Sequence, residues 1–224
     1  MKILFQSLWQ EDMSWDDPLP ENVLSSWMTI LQTLKSVAGI KIPRHAKLSS
    51  SKLELLGFCD ASEKAYAAAV YLKSVNADQI SINLLIAKTR VAPKKHETLP
   101  RLELCGALLL VKLLDTVKSH LRHPIEETHL WTDSTIVLSW IADPSNWKTF
   151  VSNRISTIVK SYPRSCWHHV RSHDNPADCA SRGINPNELQ DHPLWWHGPS
   201  WCVDPLFNFA SECKIEQPLV IPEL

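Results

Sequence analysis

The sequence predicts an α/β domain over residues 51–188, with the element order β-β-β-α-β-α-α-β-α. Three observations carry that expectation. Residues 52–91 hold three consecutive apolar or alternating runs of strand length with turns between them, which implies an antiparallel meander. The stretch "TLPRLELCGALLLVKLLDTVKSHL", residues 98–121, carries a long apolar stripe at helical spacing. Beyond it, strand-like runs alternate with helical patterns, as they do in α/β chains.

Taken in order, "KLELLGFCDAS" is the first strand, "EKAYAAAVYLKS" returns as the second, and "QISINLLIAKTRV" alternates as the third. The long helix runs its stripe through Leu102, Cys105, Leu109, Lys112 and Leu113, with Thr98 as N-cap and Pro100 in the first turn. "ETHLWTDS" is the fourth strand and "TIVLSWIAD" a short helix. "NWKTFVSNRISTIVKSY" is a longer helix with Phe150, Ile155, Ile158 and Val159 inward. "CWHHVRS" is the last strand, and "NPADCASRG" a final helical turn or two.

A chain of 224 residues, 44% hydrophobic and 21% charged, can bury one full core and carry flanking pieces. Fifteen prolines against five glycines punctuate it with stiff turns. Residues 1–50 form the first flank. There Val23, Leu24, Trp27, Ile30, Leu31 and Leu34 recur at helical spacing before the polar stretch "GIKIPRHAKLSSSK". Residues 189–224 form the second flank. "HPLWWHGPSWCVDP" is too aromatic for a disordered tail and is expected to pack on the main domain or a neighbour, whereas "KIEQPLVIPEL" is expected to be an exposed end.

The formal net charge of -1 gives no overall positive field, so contact with nucleic acid has to be local. Cys59, Cys105, Cys166, Cys179, Cys202 and Cys213 include no CxxC pair. The N-terminus has no secretory pattern, and no apolar run reaches membrane length. These features point to a reducing intracellular compartment, cytoplasmic or nuclear, and to a chain that is not secreted.

Asp133 poses the chemical question. It closes an apolar run in "HLWTDSTIVLSW", where an uncompensated charge is expensive to bury. In α/β domains ligands sit beyond the carboxyl ends of neighbouring strands. Asp60 ends the first strand and Asp133 the fourth, Glu103 lies one turn into the long helix, and Asp178 opens the last one. Four carboxylates converging on one sheet edge repel one another and need counter-charge, which hard divalent cations supply. Three of the acids also have a bland reading, Asp133 as a helix cap, Asp178 as an N-terminal helix acid and Glu103 as a first-turn glutamate, whereas Asp60 is harder to dismiss because it closes an apolar strand behind Phe58 and Cys59. Only their joint order lifts the set.

That order carries a resemblance. "GFCDAS", "LPRLEL", "LWTDST" and "SHDNPADCASRG" resemble the RNase H segment of a BEL/Pao-type LTR retrotransposon polyprotein. "KILFQSLWQEDMSWDDPLPENVLSSW" with "IPR" resembles the segment joining reverse transcriptase to RNase H, and "LWWHGPSW" the piece just after it, toward an integrase region. The resemblance implies an RNase H-like mixed five-stranded sheet, three antiparallel strands and then two parallel, flanked by helices. It implies that Asp60, Glu103, Asp133 and Asp178 hold two Mg²⁺ or Mn²⁺ ions, and that His173 is the mobile histidine near the last acid. It also implies endonucleolytic hydrolysis of the RNA strand of an RNA–DNA hybrid in reverse transcription, with the reverse transcriptase and integrase regions as partners, no small-molecule cofactor and no membrane.

Near Glu103, "KTRVAPKKHETLPR" gathers Lys88, Arg90, Lys94, Lys95 and Arg101, which could neutralise substrate phosphates or simply be solvated. A zinc site on Cys166, His168 or His169, His173 and Cys179 is disfavoured, because strand alternation sends His168 and His169 to opposite faces. "TDST" lacks the glycine of an aspartic-protease turn, and no Tyr-x-Asp-Asp occurs for polymerase chemistry. The ten tryptophans fit packing better than base stacking. The alternative from another class is a non-catalytic, retroelement-derived remnant that binds nucleic acid or protein.

Overall fold

The computed structural model describes residues 1–9, 13–49, 51–77, 79–95, 97–145 and 147–204. The expected exposed end "KIEQPLVIPEL" and Cys213 lie outside the described residues. The chain divides into two compact units, one of residues 1–43 with 184–192 and one of residues 44–183 with the segment from Pro193 onward.

The first unit is helical: α1 (Lys2–Leu8), α2 (Glu21–Leu34) and the short α7 (Pro186–Leu189). Phe5 packs on Trp27 with ring centroids 5.7 Å apart. Helix α2 follows the apolar spacing of its sequence but turns inward only Val23, Trp27 and Ile30, leaving Leu24, Met28, Leu31 and Leu34 exposed. Periodicity alone identified the helix and not which of its two apolar stripes is covered.

The second unit is built on strands β1 (Lys52–Ala61), β2 (Ala65–Val75), β3 (Ile80–Val91), β4 (Glu127–Thr132) and β5 (Trp167–His169), in the order β3-β2-β1-β4-β5. β1, β2 and β3 pair antiparallel, whereas β4 pairs parallel with both β1 and β5. Helices α3 (Leu99–His120), α4 (Thr135–Ala142) and α5 (Thr149–Ser161) connect them. This is the mixed five-stranded sheet the sequence predicted.

The sheet is buried on both faces. On one, Leu55, Leu130 and Trp167 pack with Leu104 and Leu110 of α3 and Ile155 of α5. On the other, Leu56, Phe58, Tyr71 and Trp131 pack with Val170, Ala177 and Cys202. The tryptophan-rich stretch after residue 192 lies on this second face. It forms α8 (Pro193–His197) and a 3-10 turn over Ser200–Val203. The Tyr71 hydroxyl donates to the Trp195 carbonyl (2.8 Å), and Trp201 meets Trp131 at 5.7 Å. Here most of the aromatic surplus serves packing. The described cysteines are free thiols, and no described helix is long and apolar enough to cross a membrane.

A bulge in β3 has a local consequence for charge. Val70 pairs with Ile86 and Tyr71 with Leu84, so Leu85 is the extra residue and the alternation of faces shifts by one. Lys88 and Arg90 are thereby turned to the α3 side and Thr89 to the other, where its hydroxyl donates to the Ala180 carbonyl (3.0 Å).

Candidate active site

Parallel pairing sets the floor of the site. Cys59 pairs with Thr132, so Asp60 and Asp133 are the next residues along neighbouring strands and leave the sheet at the same end. Asp60 is 3% exposed and accepts a hydrogen bond from the Ser181 hydroxyl on helix α6 (Asp178–Arg182). Glu103 reaches the same end from α3 because Gly106, one turn later, lets that helix close on β1. A methyl group at Gly106 would stand 3.0 Å from the Asp60 carbonyl oxygen.

Ser134 holds Glu103. Its hydroxyl donates to Glu103 Oε2 (2.5 Å) and accepts from the Val137 amide (3.1 Å), so Ser134 is the N-cap of α4. The bland reading of Asp133 as that cap is thereby replaced. Asp133 accepts from the Ser172 hydroxyl at Oδ2 (2.7 Å), while its buried Oδ1 has no hydrogen-bond partner among the described residues. Asp178 is the first residue of α6 and accepts at Oδ1 from Arg182 Nε, one turn on. His173 is not brought onto the acids. It stands on the Ser172–Asp174 turn with its side chain 71% exposed and Nε2 3.4 Å from Asp174 Oδ2.

Burial raises the Asp60 carboxyl to about 6. The Ser181 hydrogen bond opposes the rise, the Asp133 and Asp178 charges add to it, and Arg182 offsets part of it. Burial likewise raises Glu103 to about 7, against the Ser134 hydrogen bond and with the charges of Asp133 and Asp60. The acids therefore sense one another across the site. Among the described residues, no three His, Cys, Asp or Glu side chains are gathered to hold a metal ion as they stand. The donor chemistry nevertheless fits a hard divalent cation: the donors are all oxygen, one oxygen of each acid is engaged by a protein donor, and the Asp133 Oδ1 is an orphaned buried acceptor.

The family described as Pao retrotransposon-like RNaseH-like domain matches residues 1–134. The chain belongs to that family. Asp60, Glu103 and Asp133 lie inside the matched span, and His173 and Asp178 beyond it. No curated protein matches the sequence. Among solved structures, the N-terminal RNase H domain of a Mycobacterium tuberculosis protein is similar at 12% identity and a TM-score of 0.40, over 58% of this chain and 95% of that one. LC11-RNase H1, solved in complex with an RNA/DNA hybrid, is similar at 13% identity and a TM-score of 0.38, over 57% of this chain and 91% of that one. RNase H1 of the archaeon Halobacterium salinarum follows at 12% identity and 0.35, over 56% and 90%.

In this Pao-family chain the predicted basic residues divide. Asp60, Ala67 and Thr89 form one row across three strands, so Lys88 and Arg90 flank a position two strands, about 10 Å, from Asp60. Both are exposed, as are Lys94 and Lys95. Arg101 instead turns back into the protein, pairing with Glu97 (3.2 Å) over the Phe150 ring (4.9 Å). The candidate zinc ligands form no metal group among the described residues. His168 is buried and lies 3.2 Å from the His129 ring.

Sequence reasoning missed the residues that hold the acids. Asn175 is fully buried; its Nδ2 donates to the Cys59 carbonyl (3.0 Å) and its Oδ1 accepts from the Ala177 amide (3.1 Å), which sets α6 beside Asp60. Ser134, Ser172 and Ser181 were missed as well. One signal was available: Asp178, Ser181 and Arg182 stand at i, i+3 and i+4, on one face of a helix.

Proposed function

We propose that this chain is a divalent-metal-dependent endonuclease that hydrolyses the RNA strand of RNA–DNA hybrids, working within a retrotransposon Pol polyprotein between its reverse transcriptase and integrase regions. The observation that carries the reading is that Asp60 on β1, Glu103 on α3, Asp133 just past β4 and Asp178 on α6 lie near enough for the charges of Asp133 and Asp178 to act on Asp60 and those of Asp133 and Asp60 to act on Glu103.

Two Mg²⁺ or Mn²⁺ ions held by those acids would supply the positive charge that activates an attacking water and takes up charge on the leaving 3′-oxygen. The chain's own residues do the rest. Asp60 and Glu103 give up the protons that burial favours when the counter-charge arrives. Ser134 and Ser172 keep one oxygen of Glu103 and of Asp133 engaged. His173, on its exposed turn next to Ser172, would help move a proton or assist product release. Lys88, Arg90, Lys94 and Lys95 draw the substrate's phosphates toward the end of β3, and the 2′-hydroxyls of the wide minor groove distinguish RNA from DNA.

The test is a hybrid labelled on either strand, incubated at low salt with and without Mn²⁺ or Mg²⁺ beside Asp133→Asn. Cutting of the RNA strand alone, dependent on the cation and lost in the variant, is expected. A second reading, a remnant that binds nucleic acid without cutting it, is favoured by one observation: among the described residues no three of the acids are gathered closely enough to hold a metal ion as they stand. That reading predicts hybrid binding that Asp133→Asn leaves unchanged.

A further inference from the structure

We propose that Ser181 is the positioning residue for Asp60: its hydroxyl holds Oδ2 and thereby commits Oδ1 to a divalent cation. The proposal rests on the reading of the four acids as a cation site.

Asp60, the last residue but one of β1, is buried, and the hydrogen bond from Ser181 is the one its carboxylate receives from the described residues. Ser181 is 2% exposed, so solvent does not stand in for it. Its hydroxyl has one proton and two acceptors in reach. The second is the Asp178 carbonyl at 3.2 Å, the ordinary back-bond of a serine three residues into a helix. A carboxylate is the stronger acceptor.

That hydroxyl is not needed to dock α6 on the sheet. Three other hydrogen bonds do so: the Ser62 hydroxyl to the Ser181 carbonyl (3.0 Å), the Thr89 hydroxyl to the Ala180 carbonyl (3.0 Å), and Asn175 Nδ2 to the Cys59 carbonyl (3.0 Å). None of them uses the Ser181 side chain. Removing the hydroxyl therefore leaves the helix in place and frees the Asp60 carboxylate to rotate. Ser134, by contrast, also caps α4, and Ser172 is exposed, so neither isolates orientation from structure in this way.

The test measures Mn²⁺ binding to the whole chain, without nucleic acid, from the electron paramagnetic resonance signal of free Mn²⁺. Ser181→Ala should weaken binding by about tenfold or more, the usual effect of losing a partner that orients a metal ligand, with an unchanged circular dichroism spectrum. Ser181→Thr, which keeps the hydroxyl, should return to within about threefold of the parent. If the alanine chain does not fold, Ser181→Cys, nearly isosteric with a weaker donor, is read in its place. An affinity unchanged in Ser181→Ala, with Asp60→Asn losing the ion, would overturn the role of Ser181 and leave the acid site standing. Equal weakening in the alanine and threonine chains would assign the effect to volume and also overturn it. If the parent and all variants leave Mn²⁺ free at millimolar concentration, both the role and the cation site fall.

Discussion

The floor and the rim of the acidic site are built differently. Asp60 and Glu103, on the floor, belong to a strand and a long helix; Asp60 is buried and Glu103 half-buried, and desolvation pushes them up to about 6 and about 7. Asp133 and Asp178, on the rim, stand just past a strand and at the first residue of a five-residue helix, half-buried, each held by an exposed residue, Ser172 or Arg182. The floor carries the energetic cost of gathering charge, whereas the rim is where that charge meets solvent.

Replacing floor or rim acids should separate stability from activity. On the proposed function, Asp60→Asn and Asp133→Asn are both expected to lower hybrid cleavage by about a thousandfold or more, since each would remove a proposed cation ligand worth several kcal/mol of charge stabilisation. Their effects on folding should differ. Asp60→Asn should stabilise the metal-free chain at pH 8 in a urea titration, and Asp133→Asn should do so far less. Equal stabilisation would erase the distinction between floor and rim.

The same contrast has a pH signature. In the folded chain Asp60 and Glu103 hold their protons to higher pH than in the unfolded chain, so their contribution to stability is greatest below about pH 4. It is lost as pH rises through about 6 and 7, and then levels off. Each group accounts for on the order of 3 kcal/mol across that window. Urea unfolding in chelator should therefore show Glu103→Gln gaining on the parent between pH 4 and pH 8. Divalent cations should reverse the trend, since their binding releases those protons.

Smaller effects belong to the rim and the approach to it. Arg182→Gln frees Asp178 and removes a positive charge felt by Asp60 and Asp133. It should lower the Mg²⁺ concentration for half-maximal cleavage by roughly threefold, a Coulomb effect in a partly solvated setting, and leave stability within about 1 kcal/mol. Replacing Lys88 and Arg90 together by alanine should raise KM and flatten the salt dependence of hybrid binding by about one unit of slope for each phosphate no longer neutralised, with kcat nearly unchanged.

The placement of the acids on their elements was legible from their joint order along the chain: Asp60 and Asp133 close apolar strand runs, and Glu103 and Asp178 sit at helix starts. What orients them was not legible, because the partners are remote in sequence. Ser181 and Asp60 are 121 residues apart, and Asn175 and Cys59 are 116. The Ser134 cap lay beside Asp133 in a string where either residue satisfies the capping preference, and the structure decides by giving Ser134 both Val137 and Glu103 as partners. The bulge at Leu85 has no turn residue to announce it, although it decides which way Lys88 and Arg90 point. In α2 the periodicity of two adjacent apolar stripes predicts a helix and not its covered face.

The most direct measurement of the central claim is the chemistry of the ends left on the RNA when a hybrid is cut in a single turnover at excess enzyme with Mg²⁺. Water attacking phosphorus with the 3′-oxygen leaving gives 5′-phosphate and 3′-hydroxyl ends, absent when Asp133→Asn is used. Cyclic 2′,3′-phosphate ends, or no cutting of the hybrid by the folded chain at any enzyme concentration, would contradict the account.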